Sequence, residues 1–214
     1  MVDLEAEKAV AARAAAELVE DGMTVGLGTG STVAHLLTSL AERGVSVRCA
    51  STSPRTEDVA RSLGLRVTTL EELGRLDIAI DGADEVDDDG WLIKGGGGAH
   101  TREKIVAAAA DRFVVMVDSS KPVPAFTWPV PLELLEFGLS STMNLLGDVE
   151  LRDLPRSPDG GVLAFWRGDL ADPAAAAAFL SSVPGVVDHG LFPPSMVSDV
   201  LIARGDTVEH RRIG

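Results

Sequence analysis

The chain of 214 residues is 45% hydrophobic and 24% charged, which supports a buried core and excludes a largely disordered chain. Its 33 Asp and Glu against 19 Lys and Arg leave a net charge of -14, a field that disfavours nucleic acid and anionic membranes but tolerates a small anion held by local amides and cations. With aromatics at 4% and no Tyr the chain has few stacking platforms for bases, and its single cysteine, Cys49, allows no intrachain disulfide and no all-cysteine metal site.

The first residues lack signal-peptide character and no apolar run approaches a membrane span, so a cytoplasmic protein is expected. Asp3 is placed to cap a helix over 3–20. An apolar run at 23–28 predicts a buried strand, followed by a helix over 31–43, a strand over 46–51, a Pro-opened helix over 54–63 and a strand over 65–69. Short strands are expected at 77–80 and 91–94, then a helix over 101–111 capped by Thr101, and an apolar strand over 113–117. This alternation implies parallel strands with right-handed crossovers, hence an α/β fold with an open, mostly parallel Rossmann-like sheet.

Pro122, Pro124, Pro129 and Pro131 crowd ten residues and suit a crossing between units. Beyond them the pattern reads strand 129–133, helix 138–146, strand 149–154, strand 162–167, helix 173–182 and strand 186–192. That order, β-α-β-β-α-β, is the ferredoxin-like α+β unit. Strands over 199–203 and 207–211 are expected to rejoin the first sheet. The resulting division is 1–127, 128–194 and 195–214.

Three segments could carry chemistry. Gly26-Leu27-Gly28-Thr29-Gly30-Ser31-Thr32 lies between a strand and a helix, where bare backbone, hydroxyls and free N–H groups suit a phosphate; it also reads as a capped tight turn. It lacks the Lys of a P-loop and the spacing of the dinucleotide fingerprint. Asp81 and Asp84 follow a strand at its carboxyl end, where open α/β sheets bind ligands. Asp87 to Asp89 read as a solvated turn, since a calcium loop aligned on Gly90 would put Gly96 at its last ligand position. Lys94 precedes Gly95, Gly96, Gly97 and Gly98, and Glu103 falls in the first turn of the next helix. Glu103 reads either as a base or as dipole compensation; the helix field lowers its pKa and enclosure raises it. His35, His100, His189 and His210 are scattered without zinc spacing, so the chemistry expected is metal-free proton transfer with no cofactor.

Together, Gly28-Thr29-Gly30-Ser31-Thr32, Asp81-Gly82-Ala83-Asp84-Glu85, Lys94-Gly95-Gly96-Gly97 and Thr101-Arg102-Glu103-Lys104 resemble, in order and spacing, the type A ribose-5-phosphate isomerases. Asp118-Ser119-Ser120-Lys121 and Pro184-Gly185-Val186-Val187 support the match. The resemblance implies interconversion of ribose 5-phosphate and ribulose 5-phosphate through an enediolate in the non-oxidative pentose phosphate pathway. It implies Glu103 as the base, Lys94 as the group that stabilises the developing negative oxygen, and Asp81 and Asp84 as carboxylates that hold hydroxyls and assist ring opening. Substrate contacts would come from Thr29, Gly30, Ser31, Thr32, Gly82, Ala83, Gly95, Gly96, Gly97 and Lys121. It further implies a catalytic first unit, a lid or oligomerisation role for 128–194, and a homodimer or homotetramer needing no metal. The chain departs from the family pattern at Gly98 and His100, usually Ala and Leu, and over 148–172 the resemblance rests on pattern more than on motif. Two rivals are an isomerase for another aldose phosphate, separated by substrate comparison, and a sugar-phosphate sensor, which would have no need of Glu103 and Lys94 together.

Overall fold

The computed structural model describes residues 2–213. Asp3 caps α1 (Leu4–Ala16) by accepting from the Ala6 N–H at 3.1 Å, and the helix stops four residues short of the expected end. β1 (Thr24–Leu27), α2 (Ser31–Arg43), β2 (Arg48–Ser51), α3 (Pro54–Ser62) and β3 (Arg66–Val67) follow in the predicted order. A short helix not read from the sequence, α4 (Leu70–Leu73), precedes β4 (Ile78–Asp81); four residues are too few to show a helical period. β5 (Glu85–Val86) and β6 (Leu92–Ile93) then form an antiparallel hairpin whose connection carries Asp87 to Asp89. The strand expected at 91–94 therefore lies outside the parallel sheet. The chain continues through α5 (His100–Ala108), β7 (Phe113–Val117), β8 (Val130–Leu134), α6 (Leu139–Leu146), β9 (Val149–Leu151), β10 (Val162–Trp166), α7 (Pro173–Ser182), β11 (Val186–His189), β12 (Leu191–Phe192), β13 (Asp199–Arg204) and β14 (Thr207–Arg212).

The main sheet has the order β14-β13-β7-β4-β1-β2-β3, with six parallel strands and β14 antiparallel at the edge. Both faces are covered, which is why its strands read as continuous apolar runs. Ile78, Ile80, Val114 and Met116 pack with α1 and α2 on one face. Ala79, Phe113, Val115 and Val117 pack with Val106 and Ala107 of α5 on the other. The chain runs outward through β1, β2 and β3 to one side and through β4, β7 and β13 to the other. The order therefore reverses between β1 and β4, and the carboxyl ends of these two strands border the crevice where such sheets bind ligands.

A second, antiparallel sheet, β11-β8-β10-β9, carries α6 and α7 and encloses its own apolar cluster, in the strand order of the ferredoxin-like unit. The strand expected over 186–192 is two strands: β11 pairs with β8, whereas β12 pairs with β6 in a third, three-stranded sheet. The switch occurs at Gly190, whose N–H donates to Pro131 O at 2.7 Å and whose carbonyl accepts from the Lys94 N–H at 2.8 Å. A Cβ there would come within 2.1 Å of Lys94 O, so only glycine lets the two chains touch at this point.

Candidate active site

The crevice is a cleft of about 140 Å³ whose lining includes Thr29 to Thr32 after β1, Gly82 to Asp84 after β4, Lys94 to Gly97 after β6, Glu103 of α5 and Lys121. Of the residues expected to bind or act on the substrate, Asp81 alone does not reach its wall. Asp81 ends β4 beneath the cleft, 3% exposed, where its Oδ1 accepts from the N–H groups of Thr29 at 3.1 Å and Gly82 at 2.7 Å. This packing is close enough that a Cβ at Gly28 would fall 1.9 Å from the Asp81 carboxyl, which explains the glycine in the β1 turn.

Lys94 joins the two sides. Its Nζ lies 2.9 Å from Asp81 Oδ2 and 3.2 Å from Glu103 Oε2, and donates to Gly82 O. Lys94 and Glu103 are 2% and 4% exposed, so the three charges share a low-dielectric pocket. Burial alone would lower the Lys94 pKa, but Asp81 and Glu103 outweigh it and hold the ammonium above the ordinary lysine range. For Glu103 the two opposing influences are decided in favour of enclosure: burial, then the Asp81 charge, push it up to about 8 against the pull of Lys94. Burial also raises Asp81, against the charge of Lys94. Glu103 Oε2 is ion-paired with Nζ but lies out of hydrogen-bonding alignment with it, and accepts no hydrogen bond. A buried carboxyl oxygen that accepts no hydrogen bond is costly to keep in a site that binds nothing.

Asp84 stands apart from this triad. Its Oδ2 accepts from the Gly96 N–H at 2.7 Å, and a Cβ at Gly96 would approach its Oδ1 to 2.6 Å, so glycine is required for the loop to close on the carboxylate. Thr29 turns its hydroxyl to Thr52 Oγ1 at 2.7 Å. Gly30, in a left-handed conformation at φ 132°, caps α2 without a side-chain hydrogen bond, so the first N–H groups of the helix meet no capping side chain. Ser31 and Thr32 line the cleft at this end.

Thr101 does not cap α5: the helix begins at His100 after Ala99, and the Thr101 hydroxyl donates to Glu133 Oε2 at 2.6 Å instead. His100 does not line the cleft. It is fully buried beneath the glycine loop, and burial, reinforced by the Lys104 charge, pushes it down to about 3, so it stays neutral.

Two residues near the cleft were not read from the sequence. Lys8 of α1 lines it beside Lys121, its Nζ 2.6 Å from Glu5. Arg152, just after β9, reaches the glycine loop from the second sheet, donating to Gly95 O at 2.8 Å and to Gly96 O. A signal for Lys8 exists: the chain has only four lysines, and three of them, Lys8, Lys94 and Lys121, line this cleft. In an arginine-rich chain, lysine persists where a compact ammonium is needed. Among the described residues no group of three or more His, Cys, Asp or Glu side chains is arranged to hold a metal ion, and no helix is long and apolar enough to cross a membrane.

Residues 48–207 match the family described as Ribose 5-phosphate isomerase A (phosphoriboisomerase A). The Ribose-5-phosphate isomerase A of Chloroflexus aurantiacus is 44% identical, over 96% of this chain and 93% of that protein. Among solved structures, ribose 5 phosphate isomerase A from Neisseria gonorrhoeae superposes with a TM-score of 0.95 at 30% identity, covering 100% of this chain and 99% of that one. A D-ribose-5-phosphate isomerase in complex with phospho-erythronic acid gives a TM-score of 0.92 at 32% identity, over 98% and 99% of the two chains.

Proposed function

Since the chain belongs to the ribose 5-phosphate isomerase A family, we propose that its cleft interconverts D-ribose 5-phosphate and D-ribulose 5-phosphate in the pentose phosphate pathway. The observation that carries this reading is the buried Glu103 carboxyl, one oxygen of which accepts no hydrogen bond, beside the buried Lys94 ammonium in the cleft. A proton alpha to a carbonyl is weakly acidic, and a preorganised cation at the developing oxyanion supplies much of the stabilisation its removal requires. Glu103 takes the C2 proton of the open-chain aldose, leaving an enediolate with its charge at O1 beside Lys94. Return of that proton to C1, with the O2 hydroxyl proton passing to O1, yields the ketose. A carboxyl near 8 suits this work, because a base poised close to the operating pH both accepts and returns a proton.

Asp84, the carboxylate on the cleft wall, is the group to exchange hydroxyl protons and assist ring opening. Asp81, beneath the wall, acts through Lys94 and through the Thr29 and Gly82 amides it holds. The phosphate belongs with Ser31, Thr32, the α2 N-terminus, Lys8 and Lys121, which line the same cleft and supply hydroxyls, amides and cations. The phospho-erythronic acid held by a relative matches this division, an acid at one end of a polyol and a phosphate at the other. We expect ketose to form rapidly from ribose 5-phosphate in the presence of a chelator, and more slowly from other aldose phosphates. A folded protein that forms no ketose, or loses its turnover to the chelator, would sink the reading.

We propose in addition a homodimer or homotetramer in the cytoplasm. Leu135, Phe137 and Leu145, in and just before α6, leave an apolar surface in the single chain, with Phe137 93% exposed. Buried Cys49, unpaired, fits a reducing compartment. Light scattering should return a multiple of the 22.4 kDa chain mass; a monomer at micromolar concentration would overturn the assembly.

A further inference from the structure

Arg152 emerges from the second sheet with its backbone N–H on Leu163 O at 3.0 Å. Its guanidinium lies over Phe165, with Cζ 4.3 Å from the ring centroid, and Trp128 packs edge-on against that ring at 6.4 Å. From this platform the fork donates to two successive carbonyls, Gly95 O and Gly96 O. A trans peptide points its C=O and N–H in opposite directions, so fixing both carbonyls fixes both following amides. The first of these amides, Gly96 N–H, meets Asp84 Oδ2 at 2.7 Å. By the same geometry the second, Gly97 N–H, points away from the carbonyl that Arg152 holds, and Gly97 lines the cleft. Glycines would otherwise sample many orientations here, and none has a side chain to restrain it.

We propose that Arg152 is a positioning residue for the isomerisation: its fork sets the two glycine peptides so that one N–H holds Asp84 and the next faces the substrate. The inference rests on the reaction proposed above, and it makes the second sheet part of the active site through one side chain. A planar fork on two carbonyls is work a lysine cannot repeat, since an ammonium is a single compact point of charge.

Steady-state kinetics of the full-length parent, Arg152→Ala and Arg152→Lys with ribose 5-phosphate test it. Misplacing a reacting group by about 1 Å costs up to about 100-fold, so Arg152→Ala should lose about 10- to 100-fold in kcat with KM changed by less than about threefold. Arg152→Lys should remain well below the parent. Guanidinium ion at non-denaturing concentration should restore several-fold activity to Arg152→Ala and none to the parent. A kcat for Arg152→Ala within about twofold of the parent overturns the inference, as does a loss that parallels melting and that guanidinium does not reverse. Should the alanine variant not fold, a folded Arg152→Lys with parental kcat overturns it equally. A parent without turnover would instead refute the underlying reaction, which separates the two failures.

Discussion

Glu103→Gln should lower kcat by about 10²- to 10⁴-fold, the usual contribution of a general base, while the protein melts no earlier than the parent. The second half of this expectation comes from the site's electrostatics. Glu103 is pushed up to about 8 by burial and by Asp81, so the folded protein binds its proton more tightly than the unfolded chain does. Its favourable contribution is therefore complete below the unfolded carboxyl value near 4.5 and is lost as pH rises through about 8. Above that point the parent bears an ionised carboxylate in a buried pocket, whereas the amide titrates not at all. Melting curves at pH 5 and pH 9 should show the variant gaining on the parent at the higher value. The same shift predicts that parental kcat/KM falls on acidification well above the ordinary carboxylate range, with an apparent pKa that belongs to the Asp81, Lys94 and Glu103 cluster as a unit. A variant retaining a tenth of the activity would remove Glu103 as the base. Retention of the base reading with a large melting loss at every pH would instead give its carboxylate a packing role.

How much of this was legible in the sequence follows from how each feature is encoded. The parallel sheet was legible because strands covered on both faces, such as Phe113 to Val117, read as unbroken apolar runs between amphipathic helices. The β5–β6 hairpin was not, since two-residue strands lie below any detectable period, and they owe their pairing to β12, about a hundred residues away. The strand read over 186–192 likewise hid its break, although Gly190 inside it was a signal for close backbone approach. Asp84 was legible as part of a site because βα alternation delivers strand ends to one edge, whereas Lys94 reaches the same cleft from β6, outside that sheet. What sequence order could not supply was the division of labour in that site. Only geometry puts Asp81 below the wall with its oxygens occupied and Asp84 on it. Lys8 and Arg152 approach from α1 and from the second sheet, outside every motif, so no local pattern could bring them to this cleft.

Replacing Lys94 should have a double consequence. Lys94→Met keeps an unbranched stem of similar reach and removes the charge at which the enediolate oxygen develops, so kcat should fall by about 10²- to 10³-fold, as when an oxyanion donor is lost. It also removes the cation between two carboxylates, Asp81 at 2.9 Å and Glu103 at 3.2 Å, both already raised by burial. Without the ammonium each must rise further, because the charge of Lys94 was what lowered them. Groups raised in the folded state favour folding at low pH and lose that contribution as pH climbs. The variant's deficit against the parent should therefore be small at low pH and grow from pH 5 to pH 8, because the folded variant must hold protons that its unfolded chain gives up. Urea unfolding of parent and variant at the two pH values measures this directly. An equal deficit at both would mean that Lys94 contributes by packing alone, and a kcat within tenfold of the parent would remove it from the oxyanion. A deficit that grows with pH, together with the kinetic loss, would show one ammonium serving both the fold and the reaction, which ties the stability of the site to the charge its chemistry needs.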